Sequence, residues 1–173
     1  MTRALLSLLV LLCVAVCRYN PAGYLQEAPA ATEIVGNYHL DLDKSQERLR
    51  RMGYKNFTGQ ITLGSDGSFT ASSLPACCVH GWDESTYPFS GGHYSLSGTW
   101  KIAKSSAVYV VSLTLSLATM TEPPLISDAS VLKEDRKAPG ELQLHLIKGN
   151  PLLLGFSIFN GDFDDVVFSK SKK

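Results

Sequence analysis

Neither sign of charge dominates this chain, in which sixteen Lys and Arg balance sixteen Asp and Glu. No basic stripe is available to neutralise a phosphate backbone, so nucleic acid is not an expected partner. No acidic tract marks a solvating tail, and the closing SKSKK is basic but short, as befits a solvated terminus. Beyond the first twenty residues no run reaches the roughly 18 apolar residues that a membrane helix requires. Catalytic signatures are missing too: there is no G-x-S-x-G elbow, H-E-x-x-H helix, P-loop or dinucleotide fingerprint. Four histidines without a nucleophile context give no basis for a hydrolytic triad, so enzymatic activity is not the expectation. No repeat at a solenoid or propeller period is visible. At 173 residues, one domain with a real core is expected.

What is present begins at the N-terminus. MTRALLSLLVLLCVAVC carries one charge, Arg3, and then an apolar or small run from Ala4 to Cys17. That run is short for about 30 Å of hydrocarbon but suits the apolar segment of a secretory signal. Residues 1–17 are therefore read as a signal and the protein as exported. Two endings compete. VAVC at Val14–Cys17 resembles a lipobox, which would lipidate Cys17, although Val16 departs from the usual Gly or Ala. Alternatively, signal peptidase cuts after Cys17 and leaves Arg18 first. Residues 18–33, with two prolines and several alanines, read as a flexible tether, 34–168 as a single β domain and 169–173 as a basic tail.

From Ile34 onward a period of two takes over. Gly36, Tyr38 and Leu40 share one face of EIVGNYHLDL, with Asn37, His39 and Asp41 on the other. DKSQERLRRMG reads as one short helix, with Asp43 as cap, Gln46 in the capping-box position and Gly53 as a left-handed stop. Leu49 and Met52 are its only apolar anchors. Asp66-Gly67 marks a hairpin between ITL and SFTASSL. Tyr94, Leu96, Gly98, Trp100 and Ile102 face one way, and Tyr109, Val111, Leu113, Leu115 and Leu117 join them. Leu142, Leu144 and Leu146 repeat the pattern, and PLLLGFSIF and FDDVVF complete about eight strands. Such strands are wet on one face and must close into a barrel or divide into two packed sheets. The expected fold is all-β: an antiparallel, eight-stranded barrel with one short helix after the first strand, and a two-sheet sandwich as the alternative.

VGNYHLDL, ITLGSDGSFT and SGTWKI together resemble the small lipocalin-like β-domains of bacterial envelope lipoproteins, over about residues 35–102. The resemblance implies a lipocalin-like barrel in the cell envelope, with Gly36, Tyr38 and Trp100 as structural residues. Fuller lipocalins carry small apolar ligands, which makes such a ligand an implied partner here.

Chemistry concentrates in LPACCVHGW, Leu74 to Trp82. Cys77, Cys78, His80 and His93 are of the types that bind zinc or copper, if the 75–93 loop folds back. Adjacent cysteines lack the turn of C-x-x-C, which argues against a zinc knuckle or redox motif. In an exported protein Cys77 and Cys78 are alternatively candidates for a vicinal or intermolecular disulfide. Trp82, Tyr87, Phe89 and Tyr94 gather around the same loop and either line a ligand mouth or plug the barrel end. His39 and His145 read as solvated surface histidines. Asp162, Asp164 and Asp165 lack EF-hand spacing. Asn56 begins an N-F-T acceptor that matters only in a glycosylating host.

The functional expectation is a non-catalytic binding or interaction module on the exported side, with a small apolar ligand or an envelope protein as partner and no required cofactor. One alternative is a metal-dependent protein using the 77–93 loop, with Asp83 or Glu84 as proton acceptor. Another is a purely structural envelope protein. A membrane enters only through a lipidated Cys17.

Overall fold

Alternating apolar and polar residues take one face of each strand out of water, and in this chain eight such strands close on themselves. The computed structural model describes residues 21–80, 92–122, 140–157 and 165–171. The strands are β1 (Gly36–Leu40), β2 (Gln60–Leu63), β3 (Ser68–Pro75), β4 (His93–Ser105), β5 (Val108–Glu122), β6 (Glu141–Ile147), β7 (Leu153–Ser157) and β8 (Asp165–Lys170). Each pairs antiparallel with the next, and β8 pairs with β1, so the fold is a closed up-and-down barrel and not a sandwich. Tyr38, Ile61, Phe69, Leu113, Leu144 and Phe168 are fully buried within it. Asn37, Thr70, Thr99, Lys101, Glu141 and Gln143 are exposed on the wall. That is the reverse of a membrane-spanning barrel, which turns apolar side chains towards lipid.

Three short connections gather at one end of the barrel, here called the hairpin end. In the first, Gly67 takes φ +80 and Asp66 Oδ1 accepts from the Ser68 hydroxyl (2.6 Å) and amide (2.9 Å). Trp100 Nε1 donates to the Gly64 carbonyl at 2.9 Å, tying β4 to this turn. The second is the Ser106–Ala107 turn between β4 and β5, and the third spans 148–152 between β6 and β7. The longer connections, including the helix α2 described below, all leave from the opposite end.

The N-terminal residues close the hairpin end. The expected tether over 18–33 is corrected in its described part, which is docked. Tyr24 forms a bridge with Ile147, the Leu25 amide donates to the Leu146 carbonyl (2.8 Å), and the Tyr109 amide donates to the Leu25 carbonyl (2.8 Å). The chain is thus wedged between β5 and β6 where those strands part. Tyr24 also packs edge-on against His145, 4.8 Å between centroids, so His145 is partly covered and not simply solvated. A helical turn, α1 (Ala31–Ile34), then places Ile34 wholly out of solvent at the barrel floor. The expected tail boundary at 169 also shifts, because Ser169 and Lys170 pair with His39 and Tyr38 in the sheet.

The helix α2 (Leu42–Arg51) follows β1 as expected, but its cap is Asp41 and not Asp43: the Asp41 carboxylate accepts from the Lys44 amide at 3.3 Å. With Lys44 three residues on, Gln46 has no capping-box role. Gly53 does take the left-handed conformation, φ +83. Leu49 and Met52 are buried beneath the helix.

Leu117 also departs from expectation. Ser97 pairs with Leu117 but Gly98 pairs with Leu115, so Ser116 is an extra residue in β5. A bulge of this kind flips the face of every residue beyond it. Ala118 and Met120 therefore pack on the core, and Leu117 is 61% exposed. Gly98 permits the close approach, since a Cβ there would lie 2.0 Å from the Thr114 carbonyl oxygen. The bulge makes two leucines of one strand sharply unequal. Leu113→Ala should cost about 2–5 kcal/mol by leaving a cavity. Leu117→Ala should stay within about 0.5 kcal/mol. Urea unfolding of both variants measures this, and equal losses would contradict the bulged register.

Candidate functional site

The long-connection end collects the polar residues of the Cys-Cys-His stretch. After α2, Gly53 turns the chain so that Tyr54, 2% exposed, reaches under the end of β3. A helical turn, α3 (Cys77–His80), follows β3. It is held by the Val79 and His80 amides donating to the Ala76 carbonyl, both at 3.0 Å, and the Ala76 amide donates to the Gly92 carbonyl at 2.8 Å. Cys77, Cys78 and Val79 are buried.

Three polar pairs result. Tyr54 Oη accepts from the Cys77 amide at 3.0 Å. His80 Nε2 lies 2.8 Å from Tyr94 Oη, where either group can donate, depending on the imidazole tautomer. His93 is 2% exposed, with Glu122 Oε2 2.8 Å from Nδ1. That carboxylate lies off the line of the ring N–H, so the contact is electrostatic and not an aligned hydrogen bond. The Tyr54 ring meets His93 edge-on, 5.6 Å between centroids. Burial, with the thiols of Cys77 and Cys78 as lesser contributors, raises the Tyr54 ionisation far above the ordinary tyrosine range.

These pairs do not converge on one point. Among the described residues no three His, Cys, Asp or Glu side chains are placed to hold a metal ion, so the expected set of Cys77, Cys78, His80 and His93 does not assemble as a metal site. Nor are Cys77 and Cys78 joined to each other by a disulfide: they are buried, consecutive residues of a helical turn, which point their side chains in different directions. Tyr94 faces the interior at 2% exposure and bonds to His80, so it does not line an open mouth. Trp82, Tyr87 and Phe89 lie outside the described residues, as do Cys17, Asp83, Glu84, Asp162 and Asp164. Sequence reasoning missed Tyr54 and Glu122. Both are distant in the chain: the α2–β2 connection brings Tyr54 to Cys77, and the pairing of β4 with β5 sets Glu122 opposite His93.

A second feature is a groove of about 360 Å³ on the outer wall, bordered by His39, Leu42, Phe57, Gln60, Ser72 and Ser73. It lies between β1, the α2–β2 connection and Ser72–Ser73 of β3, where Ser73 takes φ +50 and the register of β3 against β4 shifts. Leu42 is 45% exposed here, and Asn56, next to Phe57, is also exposed. No sequence signal announces this groove, because it depends on a register shift.

Comparisons with known protein families, curated proteins and solved structures yield no match.

Tyr54→Phe leaves the Cys77 amide without its acceptor, a loss of about 1–3 kcal/mol. Local opening should then expose the thiols more often, by about tenfold per 1.4 kcal/mol. In thiol labelling without denaturant, Cys77 and Cys78 should react slowly in the parent and markedly faster in the variant. Fast labelling of the parent would refute the buried-thiol arrangement. The phenols also set an alkaline limit. Burial pushes Tyr38 up to about 12 and raises Tyr54 as well, whereas the unfolded chain ionises near 10. Stability from their neutral forms is whole below pH 10 and falls as pH rises through about 12. Melting temperatures across pH 9–12, read beside tyrosinate absorbance, should decline in that window, and less steeply in Tyr38→Phe.

Proposed function

We propose that this is an exported, non-catalytic interaction module that works through its outer wall and long-connection end instead of carrying a ligand inside the barrel. The observation behind this reading is the bulk that the described residues place inside the barrel. Tyr38, Phe69, Tyr94 and Phe168 are fully buried there together with Ile61, Leu63, Leu74, Leu113, Leu144 and Leu146. A ligand pocket usually needs several hundred cubic ångströms lined by side chains that stop short of one another. Export rests on the signal-like first 17 residues. Kinship with lipocalin-like envelope domains rests on GNYHLDL, the Asp66-Gly67 hairpin and SGTWKI, and barrel closure is consistent with it. The pairwise arrangement of the Cys and His residues gives a metal-dependent reading no support.

Native mass spectrometry of protein purified from its own host tests the proposal. The expected species is the mature chain with no noncovalently held small molecule, and titration with an apolar fluorescent probe should show no saturable one-to-one site. A stoichiometric small molecule retained through purification would overturn the proposal in favour of a carrier.

A further inference from the structure

The docked N-terminus bears on how the molecule would sit at a membrane. From Ala22 onward the chain is fixed to the hairpin end: Lys148 donates through Nζ to the Ala22 carbonyl and through its amide to the Gly23 carbonyl, both at 2.9 Å. The wedge of Tyr24 and Leu25 between β5 and β6 follows at once. Only five peptide steps separate Cys17 from Ala22, so the two α-carbons lie at most about 18 Å apart. The strands are longer than that. The fifteen residues of β5, at about 3.3 Å each and tilted as barrel strands are, rise on the order of 35 Å from the hairpin end.

We infer that a lipid on Cys17 holds the hairpin end of the barrel against the bilayer and directs the long-connection end away from it. The inference rests on the exported reading, taken with lipid attachment at Cys17. It replaces a flexible sixteen-residue leash, which would leave the domain free to turn over, with a short link that cannot. The turns at Ser65–Asp66, Ser106–Ala107 and Lys148–Leu152 become the membrane-facing surface. The helix α2 and the Cys77–His80 turn face partners in the aqueous compartment. No apolar patch on the hairpin end is required, because the acyl chains supply the attachment and the short link supplies the orientation.

The test couples residues 17–173 through Cys17 to a maleimide headgroup lipid in phosphatidylcholine vesicles. Cys77 and Cys78, at 2% and 5% exposure, are shielded from the reagent. A fluorophore is introduced through an unnatural amino acid at Ser106 or, in a second preparation, at Arg50 of α2. Quenching by spin-labelled headgroups should be at least threefold stronger at 106 than at 50. Inserting twenty Gly-Ser residues after Asn20 should remove the difference. Equal quenching at both sites without the insert, or stronger quenching at 50, would overturn the orientation. The premise is read separately from the intact mass of the mature protein in its host. A lipid-modified Cys17 start supports the inference, and an unmodified Arg18 start overturns it whatever the vesicles show.

Discussion

The pairing of β1 with β8 is the contact on which the rest of the molecule depends. It is short, only Tyr38 with Lys170, His39 with Ser169 and Leu40 with Phe168, yet it turns an eight-stranded ribbon with two open edges into a barrel with none. Side-chain contacts reinforce the seam at both ends. Tyr38 Oη donates to the Ile34 carbonyl at 2.5 Å, and Lys170 Nζ donates to the Glu33 carbonyl at 2.9 Å while lying 5.9 Å from the Tyr38 ring centroid. Gly36 at φ +148 leaves room for this, since a Cβ would meet Lys170 Cε at 2.6 Å. Beyond Leu40 the strand gives way to α2, and Ser45 takes its place at the edge of β8. Its hydroxyl accepts from the Val167 amide at 2.9 Å and donates to the Val167 carbonyl at 3.3 Å.

With the seam shut, the two ends of the barrel diverge in character. The hairpin end is built from tight turns and sealed by Ile34 and the inserted Tyr24–Leu25, so it offers rigidity and little chemistry. The other end carries the helix α2 and the three polar pairs. Pairing of buried polar groups is what a packed end requires, because each lone donor or acceptor there carries a desolvation penalty. Tyr54 meets that need for the Cys77 amide, and His80 and Tyr94 meet it for each other, whereas His93 has only its electrostatic contact with Glu122. Their arrangement is better matched to ordering the end of the barrel than to converging on a substrate.

Much of this was legible in the residues. Period-two alternation from Gly36 to Phe168 marks the strands and their inward faces, and Asp66-Gly67 marks a turn whose φ +80 glycine is as the motif requires. Other features were not legible for physical reasons. Leu117 continues a perfect alternation and still faces water, since the bulge at Ser116 is set by the cross-strand partner Gly98 and leaves no trace in β5 itself. Residues 21–33 have no period because they serve as a wedge and a floor, roles fixed by where β5 and β6 part. Asp43 reads as the cap in the sequence, yet Asp41 holds that role because β1 ends at Leu40, a boundary the sheet sets. At the candidate site, residue types pointed to Cys77, Cys78, His80 and His93, but which side chains meet was decided by Tyr54 and Glu122, far away in the chain.

The wedge between β5 and β6 also orders events in time. Its partners are Tyr109 and residues 146–148, more than eighty residues further along, and the floor at Glu33–Ile34 is completed only by Lys170 near the chain's end. Contacts of such sequence separation form late, because long loops must close before they contribute. A chain leaving the ribosome therefore cannot finish its floor until its last strand has emerged. The first residues to emerge would be the last to be locked, so the barrel stays open at this end until the whole chain is out.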